Sequence, residues 1–435
     1  PDIDVDFDTV RRGEVIEWMA RNWGEEHTAM TANVNTYRLR MAIRDFGKVL
    51  GYPLAMLDRA NKFLPHASVR KAFEYKRELA EVLGESVALD SLLHLCTALH
   101  DGEEASPRHL SLHSGGMVLS REPLRYLSPI QTSANGVRQL QFNKDCVERL
   151  GLIKFDILGL RMLSALTEAQ LLLESVGEEV PDIDNLPEGD PATYKLIRSA
   201  KTIGVFQIES PGQWHLLSRS QPENFQDLVA QVSLFRPGPL QGGMINPFIA
   251  RRRGWVAVEY PHPSLEVALR DTYGVIVFQE QVLEVAHQFA GLSLSEADEF
   301  RRLMSKFRDS EEMEAMREKF VTSAIATHAG TSCPVDRARA NTVFDMVSKF
   351  VGYGFCRSHA AAFARTVYQS AYLKAHHPAA HLAAVLEHEP GYIPINTIVE
   401  EARRWGVTVL PPCIAWSGVK YGLERLAGNE LAIRV

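Results

Sequence analysis

The chain begins with strict alternation: Asp2, Asp4, Asp6 and Asp8 fall on one face of an extended segment, and Ile3, Val5 and Phe7 on the other. A period of two predicts a strand ending near Phe7, with its apolar side available to a core. From residue 11 the period lengthens. Val15, Ile16 and Met19 recur at helical spacing, and Gly24 stops a helix predicted over 11–22. A second helix is predicted over 35–50, carrying Arg38, Arg40, Arg44 and Lys48 ahead of Gly51 and Pro53, and the helical pattern continues to about His100. After a polar loop at 101–106, short strands are predicted at 116–120, 138–142 and 152–157, separated by Pro and Gly, and a helix follows at 161–173. Residues 1–175 therefore read as an α/β unit, its strands in one sheet against helices.

The remainder reads as mainly helical, interrupted by Pro237, Gly238, Pro239, Gly242, Gly243, Pro261 and Pro263. Long amphipathic segments fall at 278–290, 295–308, 310–328 and 337–350. Ser358 is placed to cap a helix over 359–375 that ends at His377-Pro378. A last helix at 398–405 gives way to a short strand at 407–410.

At 435 residues and 46% hydrophobic, the chain can bury cores for two or three domains. No apolar run approaches the roughly eighteen residues of a membrane span and no secretory leader is visible, so a soluble cytoplasmic protein is expected. Cys96, Cys146, Cys333, Cys356 and Cys413 are scattered, which supports neither a disulfide framework nor a cysteine zinc site. The net charge of −7 does not itself favour nucleic acid. Positive charge is nonetheless clustered at Arg251–Arg253, at Arg301, Arg302, Lys306 and Arg308, and at Arg357 with His359; such clusters are also common on solvated helix faces.

The alternation has chemical content. Asp4 and Asp6 would sit about 6.6 Å apart at Cα on one face, a spacing at which two carboxylates can bridge two divalent ions. Lys154 and Asp156 share a face opposite Ile153, Phe155 and Ile157, so an ammonium and an acid point the same way. If that strand lies beside the first, Asp156 joins Asp4 and Asp6, and Lys154 offsets the accumulated charge. Asp2 and Asp8 lie at the strand margins and are weaker candidates. An acid at a strand end is also an ordinary solvated turn residue, which leaves Asp156 open on local grounds.

Ser114-Gly115-Gly116 precedes a predicted strand and permits close approach of backbone to a phosphate or base, or simply a tight turn. In Arg236-Pro237-Gly238-Pro239 a stiff loop can hold Arg236 toward an anion. The stretch 352–359 gathers Tyr353, Phe355, Arg357, Ser358 and His359 at a helix start, which suits a phosphate and a base; core packing and capping explain the same residues.

Taken together these segments resemble the bacterial C-family DNA polymerases, the DNA polymerase III alpha subunit and its error-prone relatives. The matching stretches are PDIDVDFDTVRRGEVI, RLRMAIRDFGKVLG, HSGGMVLS, LGLIKFDILGLRMLSAL, IGVFQIES, LFRPGPLQGGM, TYGVIVFQEQV, ADEFRRLMSKF and YGFCRSHAAAFA, in family order over almost the whole chain. The resemblance implies a polymerase-beta-like nucleotidyltransferase palm over 1–175, a large, mainly helical fingers domain over 176–392, and the start of a helix-hairpin-helix, DNA-binding region over 393–435. It places the three catalytic aspartates on Asp4, Asp6 and Asp156, the palm lysine on Lys154, and nucleotide or template contacts on Arg236, Gln279, Arg357, Ser358 and His359. Two magnesium ions, deoxynucleoside triphosphates and primer-template DNA are implied, with a sliding clamp and other replication or mutagenesis proteins as partners. The family often has Asn-Lys where Cys356-Arg357 stand, so a neighbouring donor is lost here.

IESPGQW, INPFIARRRG, HHPAAHLAAVLEHEPGYIPINTIVEEARRWGV and VLPPCIAWSGVKYGLE lean toward the error-prone, translesion branch, whereas LFRPGPLQGGM and FDILGLRML fit the replicative branch as well, so both branches stay open. The abrupt start without Met suggests a piece of a longer chain, with a PHP domain and a glycine-serine palm segment expected upstream. Two alternatives to a polymerase follow: a catalytically incompetent fragment that binds DNA or partner subunits, and a metal-dependent nucleotide hydrolase using the same acids.

Overall fold

The computed structural model describes residues 2–102, 105–235, 243–306, 310–348 and 355–435. The chain divides into two compact units, Pro1–Gly159 and Leu160–Val435.

The first unit is built on a mixed six-stranded sheet, from β1 (Asp2–Asp8), β2 (Thr28–Thr36), β3 (Pro107–Leu119), β4 (Ile130–Thr132), β5 (Arg138–Leu140) and β6 (Ile153–Leu160) in the order β1-β6-β3-β2-β5-β4. β2/β3, β3/β6 and β4/β5 are antiparallel, and β2/β5 is parallel. β2 was not anticipated from the pattern, and the predicted second helix was begun too early at residue 35. The observed helix is Leu39–Val49. Central position explains the miss: residues 28–32 are buried throughout, so both faces are covered and no apolar/polar alternation marks the strand.

Helix α1 (Arg12–Trp23) covers one sheet face, where Met19 packs with Met30, Met117 and Ile157. The other face carries Ala29, Val118 and Leu140, closed by Val147 of the short helix Lys144–Arg149. Between β2 and β3, helices Leu39–Val49, Leu54–Phe63, Lys76–Leu83 and Val87–Thr97 enclose a separate small core around Ile43, Leu57 and Leu92. β1 departs from expectation at its start. It ends the strand order, and Ile3 and Val5 remain 40% and 43% exposed, while Phe7 alone of the three packs against the core.

The second unit is mostly helical around one continuous core. Helix α2 (Arg161–Ser175) belongs to it, burying Ala165, Leu166, Ala169 and Leu173. Within this unit the long helix Arg357–His376 has Ala360, Ala364, Ser370 and Ala371 fully buried. Small side chains at these positions let neighbouring helices approach closely. Residues 393–435 add the helix Ile395–Arg404 and a three-stranded sheet, β7 (Val409–Leu410), β8 (Gly422–Arg425) and β9 (Leu431–Arg434), and bury Ile398, Ala402 and Ile433 in the same core. Among the described residues no helix is long and apolar enough to cross a membrane, and all five cysteines are free thiols.

Candidate active site

In the first unit the strand order brings the predicted acids onto neighbouring strands: Asp4 and Asp6 on β1, Asp156 on β6. Asp4 is exposed and Asp6 half-buried, whereas Asp156 is buried between β1 and β3 in the sheet order. Lys154 lies on the same face as Asp156, and its Nζ donates to Asp156 Oδ2 at 2.5 Å. The other oxygen, Asp156 Oδ1, is buried and accepts no hydrogen bond among the described residues. An unsatisfied buried carboxylate oxygen is costly and attracts a cation. Hard carboxylate oxygens suit magnesium, so this donor chemistry fits the implied ion. Among the described residues, however, no three His, Cys, Asp or Glu side chains form a ready-made ligand group.

Ser114, Gly115 and Gly116 sit inside β3 rather than before a strand, which corrects the sequence expectation. Met30 pairs with Met117 and Ala32 with Leu112, so residues 113–116 oppose Thr31 alone and form a bulge. Close packing requires both glycines. A Cβ on Gly115 would come 2.6 Å from Leu158 Cδ2, and one on Gly116 would come 2.9 Å from His113 Nδ1 and 3.2 Å from Asp156 Oδ1. Gly116 is the register partner of Asp156.

Sequence reasoning missed two residues here. His113 Nδ1 accepts from the amides of Gly116 at 2.7 Å and Gly115 at 3.2 Å. Nδ1 therefore carries the lone pair, the proton is on Nε2, and the 3.7 Å approach of Nδ1 to Asp156 Oδ1 is not an ion pair. The position of His113 two residues before a Gly-Gly pair was the available signal. Arg12 donates from Nε to Ile157 O at 2.6 Å and from its terminal nitrogen to Ser114 O, tying β6 to the bulge. Burial holds its guanidinium below the ordinary arginine value. Nothing in the tandem Arg11-Arg12 distinguishes the two, although Arg11 only pairs with Glu14 on the surface.

The second unit assembles another predicted group. Gln279 opens the helix Gln279–Gln288; its amide donates to Phe355 O at 3.0 Å, and its Oε1 accepts from Arg301 at 3.2 Å. The helix Arg357–His376 has Cys356 as its N-cap residue, without a side-chain capping bond, so Ser358 lies in the first turn and is not the cap expected from sequence. Ser358 Oγ is instead 2.8 Å from Cys356 Sγ. The helix N-terminus is occupied by a carboxylate: the Arg357 amide donates to Glu280 Oε1 at 2.9 Å and Oε2 at 3.0 Å. The Arg357 guanidinium binds Asp271 Oδ2 at 2.7 Å and lies 5.6 Å from the Phe278 ring centroid. His359 is set between Phe355 and Phe363, with ring centroids 5.0 and 4.2 Å away. Burial raises the nearby Glu284 above the usual carboxylate range, opposed by Arg357. Arg236 lies outside the described residues.

Of the cationic run 251–253, two members serve the fold. Arg252 is buried against Asp227, with Nε to Oδ1 at 3.0 Å and a second contact at 2.5 Å. Arg251 donates to the carbonyls of Tyr273 and Gly274.

Comparison with known proteins gives a consistent picture. Residues 1–159 match the bacterial DNA polymerase III alpha NTPase domain, and residues 162–328 match the bacterial DNA polymerase III alpha subunit finger domain. An error-prone DNA polymerase of Symbiobacterium thermophilum is 43% identical over 98% of this chain and 38% of its own length. Proteins of the same name are 39% identical in Mycobacterium bovis, over 100% of this chain and 38% of the relative, and 38% identical in Dechloromonas aromatica, over 99% and 42%. The chain thus spans about two fifths of the length of the curated relatives it matches.

Proposed function

Because the chain belongs to the family of the bacterial DNA polymerase III alpha subunit, we propose that it supplies the palm and fingers of a template-directed DNA polymerase. The reaction is transfer of a deoxynucleotide to a primer 3'-hydroxyl with release of pyrophosphate. The observation that carries the site assignment is the buried, unsatisfied Asp156 Oδ1 on the strand beside Asp4 and Asp6. Two divalent ions, held by Asp4, Asp6 and Asp156 and best matched by magnesium, would lower the pKa of the attacking hydroxyl and stabilise the leaving pyrophosphate.

The chain's own groups orient and balance charge. Asp4 and Asp6, on the more accessible strand, hold the reacting end in place, while Asp156 anchors the centre from within the sheet. Lys154, at 2.5 Å from Asp156, limits the negative charge that the incoming triphosphate meets. Ser114, Gly115 and Gly116 belong to the same proposed nucleotide or DNA contact, with the two glycines packed against Leu158, His113 and Asp156. In the fingers, Arg236, Gln279, Arg357, Ser358 and His359 contact the incoming nucleotide or template, with Arg357 exchanging Asp271 for the ligand. The name of the relatives, error-prone DNA polymerase, supports a pocket tolerant of mispaired template; a cytoplasmic setting with a sliding clamp and mutagenesis proteins is part of the same proposal.

Primer extension by the complete polypeptide carrying these residues tests the reading. Asp6→Ala and Asp156→Ala are expected to abolish incorporation while the far-ultraviolet circular dichroism is unchanged. Sustained extension by Asp6→Ala would refute the site. Triphosphate turnover that needs no primer-template would point instead to a nucleotide hydrolase.

A further inference from the structure

The polymerase site as read above uses the acids and the lysine but leaves His113 without a role, although it is the residue that shapes the bulge. We propose that His113 is a positioning residue: its Nδ1 gathers the amides of Gly115 and Gly116, fixes the bulge in β3, and thereby keeps those amides off the buried Asp156 Oδ1, leaving that oxygen as a ligand for a divalent cation. The proposal rests on the assignment of Asp156 as a metal ligand.

Three observations converge on it. Residues 113–116 oppose a single residue of β2, so the regular β2/β3 ladder is broken where the two amides lie. One imidazole nitrogen takes both, as a side-chain oxygen does in an Asx turn. Gly116 is the register partner of Asp156, and a Cβ there would meet His113 Nδ1 at 2.9 Å and Asp156 Oδ1 at 3.2 Å, so the glycine is what lets the imidazole and the carboxylate lie this close. Since Nδ1 is committed to the amides, His113 presents no proton to Asp156. The carboxylate is then held on one side by Lys154 Nζ at Oδ2 and left unsatisfied on the other. Removing the acceptor releases the bulge and lets the glycine amides turn toward Oδ1, where they compete with a cation.

The roles can be separated with four variants of the complete polypeptide: His113→Leu, His113→Asn, Gly116→Ala and Asp156→Asn. Binding of manganese is followed by electron paramagnetic resonance, and amide exchange at Gly115 and Gly116 by hydrogen–deuterium measurements. His113→Leu is expected to speed exchange at both glycines and weaken manganese binding by roughly 10- to 100-fold, the usual range for residues that orient a ligand. His113→Asn, whose Oδ1 can accept the same two amides, is expected to restore slow exchange and most of the affinity. Gly116→Ala, whose methyl would crowd both His113 Nδ1 and Asp156 Oδ1, is expected to weaken manganese binding with the Asp156 side chain retained. Wild-type manganese affinity in both His113→Leu and Gly116→Ala overturns the proposal, as does failure of His113→Asn to recover affinity when its exchange is slow. Asp156→Asn keeps the two failures apart: undiminished binding and extension in that variant would sink the metal-site reading itself.

Discussion

The two groups of candidate residues differ in how their charges are satisfied. Around Arg357 nearly every polar partner is internal: Glu280 occupies the helix N-terminus, Asp271 binds the guanidinium, and Arg301 takes the Gln279 side chain. Around Asp156 the sheet buries a carboxylate and leaves one oxygen without a hydrogen bond among the described residues. A helix end can recruit an acid from the next helix, because side chains there project at adjustable angles. A strand interior offers no such freedom, since neighbours are set by register. The contrast is between a sheet face with an unsatisfied acceptor among the described residues and a helical cluster whose charges are largely met from within.

The largest effect that sharpens this contrast is on stability. Asp227→Ala strips the partner from buried Arg252, whose side chain is 5% exposed, and should cost about 3–5 kcal/mol in urea unfolding. A loss confined to DNA affinity, with stability intact, would return the arginine run to the list of nucleic-acid contacts. Acid should act next. His381 is wholly buried, with Nε2 bonded to Gly204 O, and burial pushes its pKa from 6.5 to about 4 despite that bond, with Lys374 adding to the shift. The unfolded chain therefore binds a proton that the fold refuses. Stability is complete above about pH 6.5 and falls on the order of 3 kcal/mol as pH drops toward 4. Burial shifts His328 in the same direction. Unfolding midpoints at pH 7 and 4.5 should show the slope, and His381→Gln should flatten it.

At the sheet site, Lys154→Met should lower the rate of incorporation about 10²-fold and also lower the melting temperature, because the lysine offsets both the substrate charge and the buried Asp156 carboxylate. A large stability loss with a normal rate would make it a structural ion-pair partner only. The smallest expected effect is Glu280→Gln, which should cost about 1 kcal/mol through the weakened helix N-terminus. If deoxynucleoside triphosphate affinity rises at the same time, the helical cluster is a ligand site that Glu280 guards, and the contrast drawn above fails.

Much of this could be read along the chain. The Asp2–Asp8 alternation is a strand, Lys154 and Asp156 share a face, and the four amphipathic segments of the second half are helices at nearly the expected places. Each rests on a short-range period, which the backbone geometry imposes on any sequence that repeats it. β2 was invisible because burial on both faces erases the period, and the bulge at His113 was invisible because it exists only in register with β2.

Residue order by itself determined which side chains alternate, where the acids stand and which stretches belong to a family. Only the tertiary structure decided that β6 lies beside β1, that Glu280 meets the Arg357 amide, and that one Asp156 oxygen has no hydrogen bond among the described residues. Those outcomes depend on contacts between residues far apart in sequence. Burial and hydrogen-bond competition settle such contacts, and no local period records them.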